Sequence, residues 1–183
     1  MDDLSKKYYS DLRSKDADVR YEAFQYLMKE TQNPVTWAYE VWDDLLELTV
    51  SGNNHERAIA TQLLANLAKS DPENRMLKDF DRLMLVTKDE KFVTARHTLQ
   101  SAWKIGIIDK AHQDLVADRL AIRFEECAGE KNATLTRFDI IDNFRRLFDQ
   151  FRDESVKEKA MGLIAKEPSE KHQAKYTGLW KRT

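Results

Sequence analysis

The chain has 183 residues, a length that suits one domain or one array of repeats. Its 30 basic and 32 acidic side chains give a formal net charge of −2, and 42% of its residues are hydrophobic. This composition excludes disorder for most of the chain, and 5 glycines with 3 prolines are too few for the tight turns of an all-β sandwich or barrel. The single cysteine, Cys127, excludes a disulfide framework and predicts a reducing, cytoplasmic location. No apolar run reaches 18 residues, so no membrane partner is expected.

Helical periodicity begins at residue 4 and covers the first half of the chain. A short helix over residues 4–12 and a second helix after Asp16 come first. Two later helices are predicted to begin at Asn33-Pro34 and at Asp71-Pro72, because Asn and Asp cap helices and proline is tolerated at the first helical position. A helix over residues 55–69 lies between these two starts.

The second half of the chain continues the same helical pattern. It predicts a helix that closes at Gly106, one near 109–127, one capped by Asn132, and one over 154–166. The prediction for the whole chain is about nine helices joined by short loops. No strand pattern competes with them, so the predicted fold class is all-α.

Four arginines divide the chain into units of similar length. Arg20, Arg57, Arg96 and Arg137 are separated by 37, 39 and 41 residues. Apolar residues follow each of them at two fixed positions: Ala23, Ala60, Leu99 and Ile140 three residues later, and Leu27, Leu64, Trp103 and Phe144 seven residues later. These spacings predict one inward-facing helix per unit.

A period near 39 residues, built from two helices, resembles the HEAT/armadillo class of α-solenoid. The Val-Arg-x-x-Ala pattern of a HEAT second helix stands at residues 19–23. The resemblance implies a right-handed α-α superhelix of four to five helical pairs over residues 4–166, with 167–183 as a basic C-terminal tail or cap. Asp16 and Asp89 stand at different offsets from the arginines that follow them, so no regular Asp–Arg ladder is expected. The alternative is an ordinary helical bundle.

The sequence offers no pattern typical of catalysis or of cofactor binding. The four histidines include no pair one helical turn apart, and the five glycines are scattered rather than clustered in a phosphate-binding loop. Glu125 and Glu126 precede Cys127, and their negative charge should raise the pKa of its thiol. We therefore expect a structural cysteine, no metal site, no cofactor and no catalytic residue.

Charge is unevenly distributed along the chain. Residues 1–91 carry 13 basic and 18 acidic side chains, whereas residues 166–183 carry 5 basic and 2 acidic ones. In this basic segment, Tyr176, Leu179 and Trp180 could share a small apolar face. They are interpreted as a cap over the last repeat; a docking motif for a partner is the alternative.

Second helices line the concave side in solenoids of this class, so the resemblance implies where a partner would bind. The positions one and five residues after the arginines supply the candidate binding residues Tyr21, Gln25, Gln62, His97, Ser101, Phe138 and Asp142. Polar neutral side chains with aromatic residues at both ends suit a protein or peptide better than nucleic acid, since duplex binding needs a concentrated basic surface.

Three functions remain open from the sequence. The first is a non-enzymatic scaffold that binds a protein or peptide on its concave face. The second is an enzyme similar to the DNA-alkylation-repair glycosylases, some of which are built of HEAT-like helices and expose a damaged base. The third is an immunity-type protein that neutralises a partner. The net charge of −2 favours the first over the second.

Overall fold

The computed structural model describes residues 1–181, and every regular element within that range is helical. The α-helices are α1 (Asp3–Asp11), α2 (Ala17–Glu30), α3 (Ala38–Ser51), α4 (Asn54–Leu67), α5 (Met76–Val86), α6 (Phe92–Ser101), α7 (Trp103–Gly106), α8 (Lys110–Glu126), α9 (Ala133–Phe151), α10 (Glu154–Ala165) and α11 (Glu170–Gly178). Short 3-10 turns extend α4 and α8. The all-α prediction is confirmed. The expected count of nine is exceeded because the helix predicted to close at Gly106 is divided at Ala102 and because the C-terminal segment forms α11.

Both predicted Pro-associated helix starts are wrong by several residues. Helix α3 begins at Ala38 rather than at Asn33-Pro34, and the intervening Val35 donates its backbone N–H to Ser70 Oγ at 2.8 Å. Helix α5 begins at Met76 rather than at Asp71-Pro72. The Asp71 carboxylate accepts the Met76 N–H at 2.7 Å and also the Tyr39 hydroxyl, so it caps α5 from five residues upstream.

Several other helix starts follow their local sequence. The side chains of Asp16 and Asp153 accept backbone N–H groups in the first turns of α2 and α10. Asn53 and Glu56 form a capping box at the start of α4. Asn132 precedes α9 as predicted, but its side chain accepts no capping hydrogen bond.

The chain divides into two compact units between Ser101 and Ala102. Unit 1 contains α1 to α6 as three successive hairpins, α1/α2, α3/α4 and α5/α6. The second helices of these hairpins contact one another, α2 with α4 and α4 with α6, and α3 also contacts α5. The core between the two layers of unit 1 includes Leu27, Trp42, Leu45, Leu64 and Phe80, each at most 1% exposed. Unit 1 is therefore a two-layered stack of hairpins.

Unit 2 has the same alternation of layers. Helix α9 contacts both α7 and α11, while α8 contacts α10. Phe124, Phe144 and Tyr176 are fully buried between these helices. Within the segment 167–183, α11 packs on α9 and α10, and the Tyr176 hydroxyl donates to the Thr134 carbonyl at 3.0 Å. Residues 182–183 of that segment, Arg182 among them, lie outside the described residues.

Several hydrogen bonds between neighbouring hairpins join residues that lie 37 to 42 positions apart in the sequence. In unit 1 the bonded pairs are Trp42 with Asp79, Thr61 with Thr98, and Asn66 with Met28, at separations of 37, 37 and 38 residues. In unit 2 they are Trp103 with Asn143, Lys159 with Asp118, and Tyr176 with Thr134, at separations of 40, 41 and 42 residues. These separations are close to the spacing of the four arginines.

Candidate partner-binding groove

Three of the residues predicted to bind a partner line one groove in unit 1. Tyr21 lies on α2, Gln62 on α4 and His97 on α6. The groove, called here the second-helix groove, has a volume of about 430 Å³. Its lining consists of Ala17, Arg20, Tyr21, Phe24, His55, Ala58, Ile59, Gln62 and His97.

The second-helix groove continues along α6 into a depression of about 490 Å³. His55, Ala58 and His97 line both spaces, and the added wall includes Phe92 and Val93. Tyr21 on α2 is 66% exposed and Val93 on α6 is 65% exposed. Large apolar side chains are thus open to solvent on both flanking helices of the groove, a feature typical of interaction surfaces.

Buried polar contacts hold the three helices of the groove together. The Thr61 and Thr98 hydroxyls are 2.8 Å apart and join α4 to α6. Thr94 Oγ1 donates to the Asn54 carbonyl at 2.9 Å, near the start of α4. On the other side, Asn66 Nδ2 donates to Thr31 Oγ1 at 3.0 Å and so joins α4 to the end of α2. These contacts therefore join the three helices that line the groove.

Arg57 and Asp89 form an ion pair beside the groove. The Arg57 Nη1 donates to the Gly52 carbonyl at 2.7 Å, while Nε and Nη2 donate to the two carboxylate oxygens of Asp89 at 2.5 and 3.1 Å. Burial acts to raise the pKa of Asp89, but the hydrogen bonds from Arg57 and from the Lys91 backbone outweigh burial and lower it. This pair links the turn before α4 to the turn before α6.

Several polar groups of the second-helix groove have no protein partner within residues 1–181. Arg20 donates only from Nη1, to the carbonyls of Ser14 and Lys15 at 2.7 and 3.0 Å. The side chains of Tyr21, His55 and His97 make no hydrogen bond within the same range. No carboxylate lines the part of the groove between α2 and α4. Among the unpaired groups there, the remaining Arg20 nitrogens can only donate, whereas the Tyr21 hydroxyl and the two imidazoles can donate or accept.

The remaining predicted residues of unit 1 are placed differently. Gln25 is exposed on α2 but does not line the groove. Ser101 is the last residue of α6 and is only 5% exposed. Its hydroxyl donates to the carbonyls of His97 and Thr98 at 3.0 and 2.9 Å. The expectation that Ser101 faces the binding surface is therefore corrected.

The last two predicted residues lie on α9 in unit 2. The Phe138 ring is half-buried, with its centroid 6.4 Å from that of Tyr176 and 4.6 Å from Lys175 Nζ. Asp142 accepts from Arg146 Nε at 2.7 Å, one helical turn further on. Both side chains have contacts within unit 2. Their role in binding stays a prediction.

Sequence reasoning missed several residues of the groove. Phe24 and Ile59, which were not among the predicted binding residues, are half-buried and line the groove. His55 precedes the repeat arginine Arg57 by two residues, a position that the predicted register did not use. In the structure His55 lies in the first turn of α4, directly after the capping box, and lines the groove.

Unit 2 has its own surface cleft, between α8 and α10. It has a volume of about 540 Å³, and its apolar lining includes Ile122, Leu163 and Gly162. Lys159 Nζ lies 2.5 Å from Asp118 Oδ1, and Lys166 Nζ lies 2.5 Å from Glu125 Oε1, so each of these rim charges already has a partner. This cleft offers fewer unpaired polar groups than the second-helix groove.

Cys127 is fully buried, and its thiol donates to the Phe124 carbonyl at 3.3 Å. Burial raises the pKa of this thiol, and the nearby charges of Arg123 and Arg137 lower it less than burial raises it. The expected direction is confirmed, but the main cause is burial rather than the glutamates that precede the cysteine.

Residues 1–181 hold no group of three or more side chains able to bind a metal ion. None of the described helices is both long and apolar enough to span a membrane.

In comparisons with known proteins, the chain matches no protein-family model and no curated protein sequence.

Proposed function

We propose that this chain is a non-enzymatic HEAT-like repeat protein of the cytoplasm, and that it binds a protein or peptide partner in the second-helix groove. The observation that carries the proposal is the groove itself, which spans three successive second helices and leaves Tyr21 66% exposed. Exposed aromatic side chains beside apolar concave surfaces are typical of protein-binding sites.

Two pairs of contacts support the HEAT-like part of the proposal. Arg57 binds the carbonyl of Gly52 in the turn before its own helix and the carboxylate of Asp89 in the turn before α6. Arg137 likewise binds the Phe124 carbonyl at the end of α8 and the Glu167 carboxylate before α11, at 3.2 and 2.8 Å.

Each of these arginines thus joins its own hairpin to the next one. An arginine that joins two hairpins in this way is called here an arginine rung. One occurs in each unit, although the sequence offsets of the acidic residues differ. Two of the four repeating arginines therefore support a right-handed α-α superhelix of HEAT-like pairs, as the sequence resemblance implied.

Site-specific photo-crosslinking tests the function. A photoreactive amino acid replaces His97 in the groove, and in a control it replaces Val50, which is 64% exposed on α3. In lysate of the source cells, the groove position should give a discrete protein adduct that the control position does not give. Adding Tyr21→Ala should reduce the adduct while leaving helicity and the melting temperature nearly unchanged, because Tyr21 is exposed.

Two outcomes would contradict the proposal. Equal adducts from both positions would show that the groove has no special affinity for proteins. Tight binding of a random DNA duplex, with affinity falling steeply as salt rises, would favour the glycosylase-like alternative instead.

A further inference from the structure

The second-helix groove has a polar character opposite to that of the unit around it. Unit 1 carries 14 basic and 18 acidic side chains, a net charge of −4. Nevertheless, the groove between α2 and α4 has no carboxylate in its lining and contains Arg20, His55 and His97. Three acidic side chains near the groove have partners of their own: Asp89 binds Arg57, Glu56 caps α4, and Glu90, which lines the adjoining depression with His55 and His97, lies 3.8 Å from Lys91 Nζ.

The unpaired groups of this groove call for a ligand with hydrogen-bond acceptors. Arg20 retains Nε and Nη2, neither of which has a partner within residues 1–181. The ring nitrogens of His55 and His97 are equally unengaged within that range. A guanidinium binds carboxylate oxygens more strongly than it binds neutral oxygens, and an imidazole N–H can donate to the same carboxylate. We therefore expect the part of the ligand that contacts Arg20 to be acidic.

The apolar half of the ligand follows from the rest of the lining. Phe24, Ile59 and Ala58 form an apolar wall, with the exposed Tyr21 ring beside it. A space of about 430 Å³ accommodates one or two large side chains. A long polyanion is disfavoured, because the net charge of unit 1 is negative and only a few donors converge in the groove.

We propose that the second-helix groove recognises an acidic peptide segment in which Asp or Glu stands within a few residues of a large apolar side chain. Arg20 and His97 bind the carboxylate, and Phe24 and Ile59 contact the apolar side chain. This inference rests on the proposed function and specifies the chemistry of its partner.

Selection from a random 12-residue peptide library displayed on phage, against the full chain, tests this specificity. The enriched peptides should carry Asp or Glu close to Leu, Phe or Trp. A synthetic peptide from the enriched set should bind about tenfold more tightly than the same peptide with Asn and Gln in place of its acids, as expected for loss of a charge-assisted hydrogen bond.

Added negative charge in the groove provides the matched variants. The double variant His55→Glu/His97→Glu should lose the acidic peptide and prefer a version with Lys in place of its acids. The control Lys78→Glu makes the same change of two charge units on an exposed position of α5, and should bind like the wild type. Because both histidines are exposed, a folding defect is not expected, and circular dichroism verifies this point.

The outcomes separate this inference from the proposed function. Enriched peptides without acidic residues, still lost on Tyr21→Ala, would overturn the acidic specificity and leave the groove as a peptide-binding site. No enrichment together with no groove-dependent photo-crosslink would overturn both proposals. Displacement of the acidic peptide by single-stranded or duplex DNA at comparable concentration would overturn the assignment of a peptide ligand.

Discussion

Unit 1 and unit 2 share an alternation of layers but differ in how one pair of neighbouring helices in each unit, α4 with α6 and α8 with α10, is joined. In unit 1, neighbouring second helices are joined by buried neutral groups, of which the Thr61–Thr98 hydroxyl pair is the clearest. In unit 2, α8 and α10 are joined at the surface by the ion pairs Lys159–Asp118 and Lys166–Glu125. Exposed ion pairs contribute little to stability, so we expect the loss of either pair to cost unit 2 less than the loss of the buried Arg137–Glu167 pair.

The two units also differ in whether the polar groups of their surface clefts are paired. The cleft of unit 2 has two rim lysines that are paired with acidic side chains across it, whereas the groove of unit 1 retains unpaired donors. A surface whose charges satisfy one another is well suited to joining helices within a fold. A surface with unpaired donors beside apolar side chains is better suited to binding something else.

The largest expected effect concerns the two arginine rungs. Glu167→Ala should destabilise unit 2 by about 3–5 kcal/mol, because it leaves the Arg137 guanidinium buried without its counter-ion. Asp89→Ala should cost unit 1 about 1.5–3 kcal/mol, because the Arg57 side chain is 21% exposed and water can partly replace the carboxylate. Urea unfolding gives the two values, and hydrogen exchange assigns each loss to its unit.

Glu158→Ala is the control for these rungs, since Glu158 is exposed on α10. It should change stability by less than about 0.5 kcal/mol. Equal losses for Glu167→Ala and Asp89→Ala would show that burial does not distinguish the two rungs.

A smaller effect is expected from two glycines of unit 2. In Gly106→Ala the new Cβ would stand 2.6 Å from Leu147 Cδ2 and 3.2 Å from Val116 Cβ, and the overpacking should cost about 1–3 kcal/mol. In Gly162→Ala nothing lies within 4 Å of the new Cβ, so the better helix propensity of alanine should stabilise α10 by about 0.5–1 kcal/mol. Thermal unfolding measures both changes. The close-contact argument would be wrong if both variants moved the melting temperature in the same direction.

The smallest effects distinguish the two ways of joining helices. Thr61→Val should cost about 1 kcal/mol, nearly independent of salt, because it removes a buried neutral hydrogen bond to Thr98. Lys159→Ala should cost about 0.5 kcal/mol or less, and this loss should vanish near 1 M salt because an exposed ion pair is screened. Urea unfolding at low and high salt makes the comparison. A salt-dependent loss in Thr61→Val would contradict the assignment of neutral contacts to unit 1.

Contacts made by the turns between helices could not be predicted from the sequence. Asp71 was read as a local cap for a helix beginning beside it, but its carboxylate binds both Tyr39 of α3 and the Met76 N–H. The position of α5 thus depends on a contact with a residue more than 30 positions away. The arginine rungs were likewise not expected, because turns of different length place Asp89 and Glu167 at different offsets in the sequence.

The sequence by itself determined that the chain is all-α, that four of its arginines recur every 37 to 41 residues, and that helices such as α2, α4 and α10 begin at Asp or Asn caps. These properties depend on periodicity and capping, which act over a few neighbouring residues. The tertiary structure alone decided that Tyr21, Gln62 and His97 share one groove, that Ser101 is buried, and that His55 joins the lining. Those outcomes depend on how closely α2, α4 and α6 approach, and this approach is set by buried threonine and asparagine contacts between different repeats.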